Sequence, residues 1–321
     1  MSKGTRRFGM LAVLAGAMAF AWFVGAKRGV PFVDTVDYWT ISVYKGSSPL
    51  KLSGAGIDNP VLTAADVTDI PANFVADPFM FKEKGVWHMF FEILNANTGQ
   101  GDIGLATSTD ALTWTYKQVV LDEKFHLSYP QVFKWQGQHY MLPESCNDKS
   151  VRLYKATEFP TKWQLVKKLL DGPRLVDASI IRYENRWWIF ASTLSNDTLL
   201  LYHSENLMGP YVKHTQNPVV SGSADVVRPG GRFILYNGKP MRFAQDDEIQ
   251  YGNRVFAFEI EELTPTTYSE RPLGNEALFK ASGSGWNADG MHHIDAHEEA
   301  PGKWLAVLDG YRWKRIFGLQ Y

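Results

Sequence analysis

Carboxylate and basic side chains recur at matched places along this chain. Asp77 and Asp177 each open a segment that runs into a short aromatic strand, and Tyr129, Arg228 and Asp289 stand at the corresponding points of three further segments. A carboxyl that keeps its proton beside one that has lost it is the pairing needed for general acid–base chemistry. Asp77 and Asp177 supply two carboxyls, and Glu144 at the end of LPE and Asp246 at the end of FAQD offer a third. His292 and His293 titrate near neutrality and could act as acids there. Arg228 cannot donate a proton at neutral pH, but its guanidinium suits an anionic group such as a phosphate or uronate. Simpler roles are open for the same residues. Asp77 precedes Pro78, as turn-initiating residues do, and carboxylates at strand ends accept hydrogen bonds from neighbouring turns. In MHHIDAH a strand places His293, Asp295 and His297 on one face, a donor set that suits zinc. No second ligand group accompanies that face, so polar channel residues bonded to one another are the expectation, and no metal or cofactor is assigned.

Residues this far apart can act together only if the fold gathers them. Beneath each other, the segments FVADPFMFKEKGVWHMFFE, SYPQVFKWQGQHYMLPE, VDASIIRYENRWWIFAS, RPGGRFILYNGKPMRFAQD and ADGMHHIDAHEEAPGKWLAVLDG show one pattern five times. Asp77, Pro130, Asp177, Gly230 and Gly290 mark equivalent points at spacings of 53, 47, 53 and 60 residues. Repeats of that length, built from strands and turns, predict an all-β, five-bladed β-propeller, in which the first strand of each blade lines a central channel. Four outer halves repeat as well, but the fifth unit stops at IFGLQY, read as its third strand, and one strand is missing. The β-prone segment Trp39 to Tyr44 is expected to supply it, pairing beside a Phe317 to Tyr321 strand and closing the ring without open sheet edges.

Composition narrows the classes of function. The 33 basic and 34 acidic residues leave a net charge of -1, so nothing drives binding to nucleic acid. Eleven Trp residues raise the aromatic share to 14%, and such rings either fill a core or stack on sugar rings. The single cysteine, Cys146, excludes an intrachain disulfide. Residues 8–26 carry no charge and are flanked by Lys3, Arg6, Arg7, Lys27 and Arg28. At helical rise that span covers about 28 Å, which favours a membrane anchor. Val24-Gly25-Ala26 also fits a cleavage site, so a signal peptide with a secreted or periplasmic body stays open. The expected organisation is an N-terminal hydrophobic helix within 1–30, a tether over 31–37 and the propeller over 38–321, with the body outside the cytoplasm or lumenal.

Two resemblances arise from these residues. The blade starts Ala76-Asp77-Pro78 and Val176-Asp177-Ala178 resemble those of the five-bladed furanosidase propellers of glycoside hydrolase family 43. More specifically, FVADPF, GDIGLA, HLSYPQVF, LPES, RLYKA and HHIDAH with KWLAVLDG resemble the N-terminal propeller domain of plant glucosamine inositolphosphorylceramide transferases and their stand-alone bacterial relatives, over roughly Asp37 to Asp309. The furanosidase resemblance implies that Asp77 is the base or nucleophile, that Asp177 tunes the acid, and that a Glu opens the fourth blade. Arg228 stands there, so the usual triad is broken; Glu144, Asp246 or a histidine would have to replace the acid. The expected partners are a glycan or glycolipid, anionic because of Arg228, and a separate glycosyltransferase. The expected binding residues are Tyr129, Arg228, Asp246, Asp289, His292 and His293. Three functions follow: glycan binding or processing at a membrane, glycoside hydrolysis with a non-standard acid, and a non-catalytic module serving a transferase.

Overall fold

The computed structural model describes residues 33–317, and among them the secondary structure is strand apart from three short 3-10 turns. Four-stranded antiparallel blades recur in chain order. Blade one comprises Ala72–Glu83, Val86–Asn95, Gly101–Ser108 and Thr115–Leu121, and blade two Ser128–Trp135, Gln138–Glu144, Ser150–Glu158 and Lys162–Asp171. Blade three starts with Leu175–Tyr183, Arg186–Thr193 and Thr198–Ser204, and two short strands share its outer edge. Blade four has a broken inner strand, Arg228–Pro229 then Ile234–Tyr236, followed by Lys239–Asp246, Arg254–Leu263 and Tyr268–Pro272. The turn between the first two strands is written into the sequence. Lys84-Gly85, Gln136-Gly137, Glu184-Asn185 and Asn237-Gly238 all have positive φ at both residues, which a two-residue hairpin of the right twist requires.

Blade five is assembled from both ends of the chain. Its strand order is Ile294–Ala300, Lys303–Phe317, Val33–Ser48 and Lys51–Ser53. The Trp39 to Tyr44 segment does enter this blade, but the expected details change. Lys303–Phe317 is one continuous strand, not a second and a third, so the N-terminal segment contributes two strands rather than one. Residues 33–37, expected as tether, are already strand. Residues 318–321 and the expected hydrophobic helix at 8–26 lie outside the described residues; among those described, no helix is long and apolar enough to cross a membrane. The strand ends at 33–38 and 313–317 form a small unit in which the Lys314 ammonium stands 4.4 Å over the Tyr38 ring.

Within residues 39–312 the apolar core lies between blades, and each pair of successive blades owns a buried cluster. Phe90, Ile103 and Leu105 meet Val132 and Met141 between blades one and two, and Leu142 and Leu153 meet Ile180 and Ile189 between two and three. Phe190 and Leu201 meet Phe233 and Ile260, then Phe243 and Val255 meet Ile294 and Leu308. The fifth cluster joins Val75, Met89 and Phe91 to Ile41, Val43 and Leu305, which closes the ring. Successive residues of one strand serve opposite interfaces, as Met89, Phe90 and Phe91 show, so inner strands are apolar on both faces. Because Ile41 is fully buried in the closing cluster, Ile41→Ala should cost about 2–5 kcal/mol in denaturant unfolding. A loss below about 1 kcal/mol would show that the N-terminal strand is not integral to the ring.

Candidate active site at the blade starts

The inner strands of blades one to three share a defect that aims side chains at the axis. Asp77, Tyr129 and Asp177 have φ of 51°, 48° and 49°, and each stands at a register shift of its strand. This is a β-bulge with its first residue in the left-handed region, which bends the strand and re-aims a side chain. Non-glycine residues hold such a conformation only when their surroundings compensate. Here each backbone N–H donates to a carboxylate of the preceding blade. Asp77 N–H reaches Asp309 Oδ2 at 2.9 Å, Tyr129 N–H reaches Asp77 Oδ2 at 3.2 Å, and Asp177 N–H reaches Glu144 Oε2 at 3.3 Å. In blade four Gly230-Gly231 replaces the bulge. A Cβ on Gly231 would fall 1.8 Å from the Ile294 carbonyl oxygen, so only glycine fits.

These contacts gather six carboxyls: Asp77, Glu92, Glu144, Asp177, Asp247 and Asp309. Asp177 Oδ2 accepts from Arg228 Nε and Gln245 Nε2, both at 2.6 Å. The Arg228 guanidinium also lies 3.6 Å from Asp247 and 5.1 Å from the Tyr251 ring centre. His292 Nδ1 donates to Asp309 Oδ1 at 2.7 Å, and its Nε2 is 3.5 Å from Asp77 Oδ1. The Trp39 ring covers His292 at a centroid distance of 4.1 Å. His293 donates through Nε2 to the Pro78 carbonyl at 3.0 Å. Asp77, His292 and Asp309 bring one ligand atom each within 4.8 Å of the others, a spacing that a proton on His292 already explains.

Burial and crowding spread the proton affinities. Desolvation, with the charges of Asp177 and Asp309 added, raises Asp77 to about 7 against the pull of His292 and Arg228. Desolvation and then the Asp177 charge raise Glu144 to about 8. Glu92 is pushed well up by burial and by the surrounding carboxylates. Burial disfavours a charged His292, yet Asp309 and Asp77 hold its pKa up at about 9, while Asp309 is itself held low by His292. Burial takes His293 down to about 4. The funnel therefore contains protonated and ionised carboxyls side by side at neutral pH, the arrangement acid–base chemistry needs.

Not every expected residue belongs to this group. The Tyr129 side chain is buried across the axis, where its hydroxyl accepts from Gly231 N–H at 2.7 Å and lies 2.8 Å from Ser179 Oγ. Asp246 turns to Arg254 at 2.6 Å, and Asp289 holds the Tyr311 backbone through its N–H and Gln250 through its carbonyl. Asp295, between His293 and His297 on their shared face, binds Arg232 at 2.6 Å, His297 at 2.9 Å and Met80 N–H at 2.7 Å, a structural knot at the channel wall. Arg228 has its charge matched by Asp177 and Asp247, so it does not offer a free cation to an anionic ligand. Five participants escaped sequence reasoning: Glu92, Gln245, Asp247, Tyr251 and Asp309. Glu92 and Glu144 occupy matching register positions, opposite the residue just before the bulge, so aligning the second strands would have found Glu92.

Asp77, Glu144 and His292 each hold more protons folded than unfolded between their ordinary and shifted values. Raising pH from 6.5 to 9 should therefore reduce stability, and the depressed Asp309 contributes no opposing slope because it is ionised throughout. Denaturant unfolding at both ends of that window should show the loss, with Glu144→Gln losing less than the parent. An equal loss in both proteins would show that Glu144 does not titrate there.

Comparison with known proteins agrees with this architecture. Residues 32–311 match the family described as "Glucosamine inositolphosphorylceramide transferase 1, N-terminal". The chain is 39% identical to glucosamine inositolphosphorylceramide transferase 1 of Oryza sativa subsp. japonica and 34% identical to that of Arabidopsis thaliana, over 94% and 95% of its own length. It spans 44% of each of those relatives. Among solved structures, the catalytic domain of the Coprinopsis cinerea GH62 α-L-arabinofuranosidase superposes with a TM-score of 0.55 at 12% identity, covering 73% of this chain and 90% of that one. A GH130 structure, described with glycoside hydrolases that target β-1,2 mannosidic linkages in Candida mannan, gives 0.57 at 12% identity, covering 82% and 93%. These two share the fold; sequence and match length together establish that the chain belongs to the glucosamine inositolphosphorylceramide transferase 1 N-terminal family.

Proposed function

We propose that the funnel binds a glycan and cleaves a glycosidic bond, with Glu144 as the acid and Asp77 as the base. The observation that carries this is Glu144 itself: a partly exposed carboxyl raised to about 8, in a cluster where other carboxyls are ionised. Glu144 would give its proton to the leaving oxygen as the bond to the anomeric carbon breaks. Water would add at that carbon and pass a proton to ionised Asp77. Asp177, held by Arg228 and Gln245, is the neighbour that, after burial, most raises Glu144. Arg228, at the blade-four start where the furanosidase resemblance implies an acid, orients Asp177. The chain would be tethered through residues 8–26, with the propeller outside the cytoplasm or in a lumen.

A second reading has its own observation. Asp77, Glu144 and Asp309 each accept a backbone N–H from the next blade, so the carboxyls also hold the ring together. A binding module that serves a separate glycosyltransferase would need only that, and the named relatives are transferases more than twice this chain's length. Hydrolysis of a glycan panel separates the two. The hydrolase reading expects Asp77→Asn and Glu144→Gln each to lower the rate about 10²–10⁴-fold with binding kept. It also expects a narrow pH optimum, with an acid limb near 7 from Asp77 and a basic limb near 8 from Glu144. Binding without turnover by the parent protein would favour the module.

A further inference from the structure

We infer that Glu92 touches the bound glycan as a neutral hydrogen-bond donor to an acetal oxygen outside the bond that is cleaved, and that His126 is the positioning residue that keeps it neutral. The inference rests on the reading of the funnel as a glycan site and adds two residues to that site. Glu144 shows what the position of Glu92 otherwise does in this ring. Each stands on the second strand of its blade, opposite the residue just before the bulge. Glu144 accepts the N–H of Asp177, the left-handed residue of the next blade, at 3.3 Å. The corresponding N–H for Glu92 is that of Tyr129, and Asp77 Oδ2 takes it at 3.2 Å instead. Glu92 is thereby released from the scaffold, yet it stays in the cluster, facing the charges of Asp77, Glu144, Asp177 and Asp309. The 8% of its side chain that remains exposed leaves it within reach of a ligand.

His126 makes Glu92 a donor rather than a charge. Its Nε2 lies 3.3 Å from Glu92 Oε1, a distance at which an imidazolium and a carboxylate would ordinarily pair. Here the second ring proton has no place. His126 Nδ1 accepts the Gly101 N–H at 2.9 Å, so a proton on Nδ1 would set two donors against each other, and the neutral ring carries its proton on Nε2. The arrangement is built into the chain. Leu127 N–H donates to the Gly101 carbonyl at 2.9 Å, and a Cβ on Gly101 would fall 2.2 Å from the Leu127 carbonyl oxygen. That close approach fixes the segment entering blade two, with His126 in it, against the third strand of blade one. Burial acts in the same direction, lowering the His126 pKa against the pull of Asp177. Buried among carboxyls and denied a cation by His126, Glu92 keeps its proton. A sugar hydroxyl can donate to the ionised carboxylates, but an acetal oxygen only accepts and needs a donor. Arg228 and His292 are already engaged, by Asp177 and Asp247 and by Asp309 and Asp77. The Glu144 proton is committed to the leaving oxygen, which leaves the Glu92 O–H for a second acetal oxygen.

Two measurements on the full chain test this. Nitrogen-15 NMR of the imidazole rings, with His126 assigned by its loss in His126→Gln, should show a neutral ring at pH 7 with its proton on Nε2. A proton on Nδ1 of the neutral ring, or a titration midpoint at or above the ordinary value of about 6.5, overturns the inference. Titration calorimetry at pH 7 then uses arabino-, xylo- and manno-oligosaccharides of equal length as probes. For whichever probe binds, Glu92→Leu should weaken binding about fivefold or more, whereas Glu92→Gln, which keeps a donor on the same frame, should stay within about twofold of the parent. His126→Lys sets a cation beside Glu92, ionises it and should weaken binding as Glu92→Leu does. Unchanged binding by Glu92→Leu, or equal losses in Glu92→Leu and Glu92→Gln, overturns the inference while the glycan site stands. If no probe binds the parent, the glycan reading falls and takes this one with it. Should Glu92→Leu fail to fold, Glu92→Gln against His126→Lys decides, and equal affinities in those two overturn the inference.

Discussion

The structure depends on three non-glycine residues held in the left-handed region where their strands meet the axis. Asp77, Tyr129 and Asp177 would each relax to an ordinary extended conformation in an isolated strand, since that strain costs on the order of 1–2 kcal/mol per residue. Carboxylates of the preceding blade hold them. The chain Asp309 to Asp77 N–H, Asp77 to Tyr129 N–H and Glu144 to Asp177 N–H runs from blade five to blade three. A defect in one blade is thus stabilised by an acid from another, and the acids are brought together as a consequence. Site and scaffold share the same atoms.

Electrostatics then decides what the gathered acids can do. Six carboxyls in a poorly solvated centre cannot all ionise, because bringing like charges together under desolvation is far more costly than in water. The molecule responds in two ways. It recruits Arg228 and His292 to neutralise Asp177 and Asp309, and it leaves Glu144 and Glu92 protonated. Arg228 in the fourth blade therefore does not simply abolish acid–base chemistry. It holds Asp177 in place beside Glu144 of the second blade, whose pKa is raised first by burial and then by Asp177.

Much of the fold could be read from the residues, because blade repetition, hairpin turns and alternating apolar residues are local signals. The makeup of blade five could not be read in full. Whether the stretch from Lys303 to Phe317 runs as one strand or breaks near Gly310 depends on long-range pairing, and so does the number of strands the N-terminal segment adds. At the site, Asp77, Asp177, Arg228 and His292 each stand at or beside a blade start, and the folded ring places them near one another. The Tyr129 and Asp246 side chains turn to other partners. The sequence reveals which strand a residue is on, but at a bulge one residue of offset decides whether a side chain faces the funnel or the neighbouring blade. The sign of the local charge was also out of reach, because Asp247 and Asp309 reach Arg228 and His292 only in the folded ring.

The central claim is that the funnel keeps a protonated carboxyl beside ionised ones at neutral pH. Infrared difference spectroscopy of the carboxylic acid carbonyl stretch, followed across pH in the parent and in Glu144→Gln, addresses it directly. The account predicts a protonated-acid band at neutral pH with a component that fades with a midpoint of about 8, and that component alone is missing from the Glu144→Gln protein, because Glu92 and Asp77 are raised as well. Complete ionisation of all carboxyls by about pH 6, within the range of ordinary exposed groups, would contradict it.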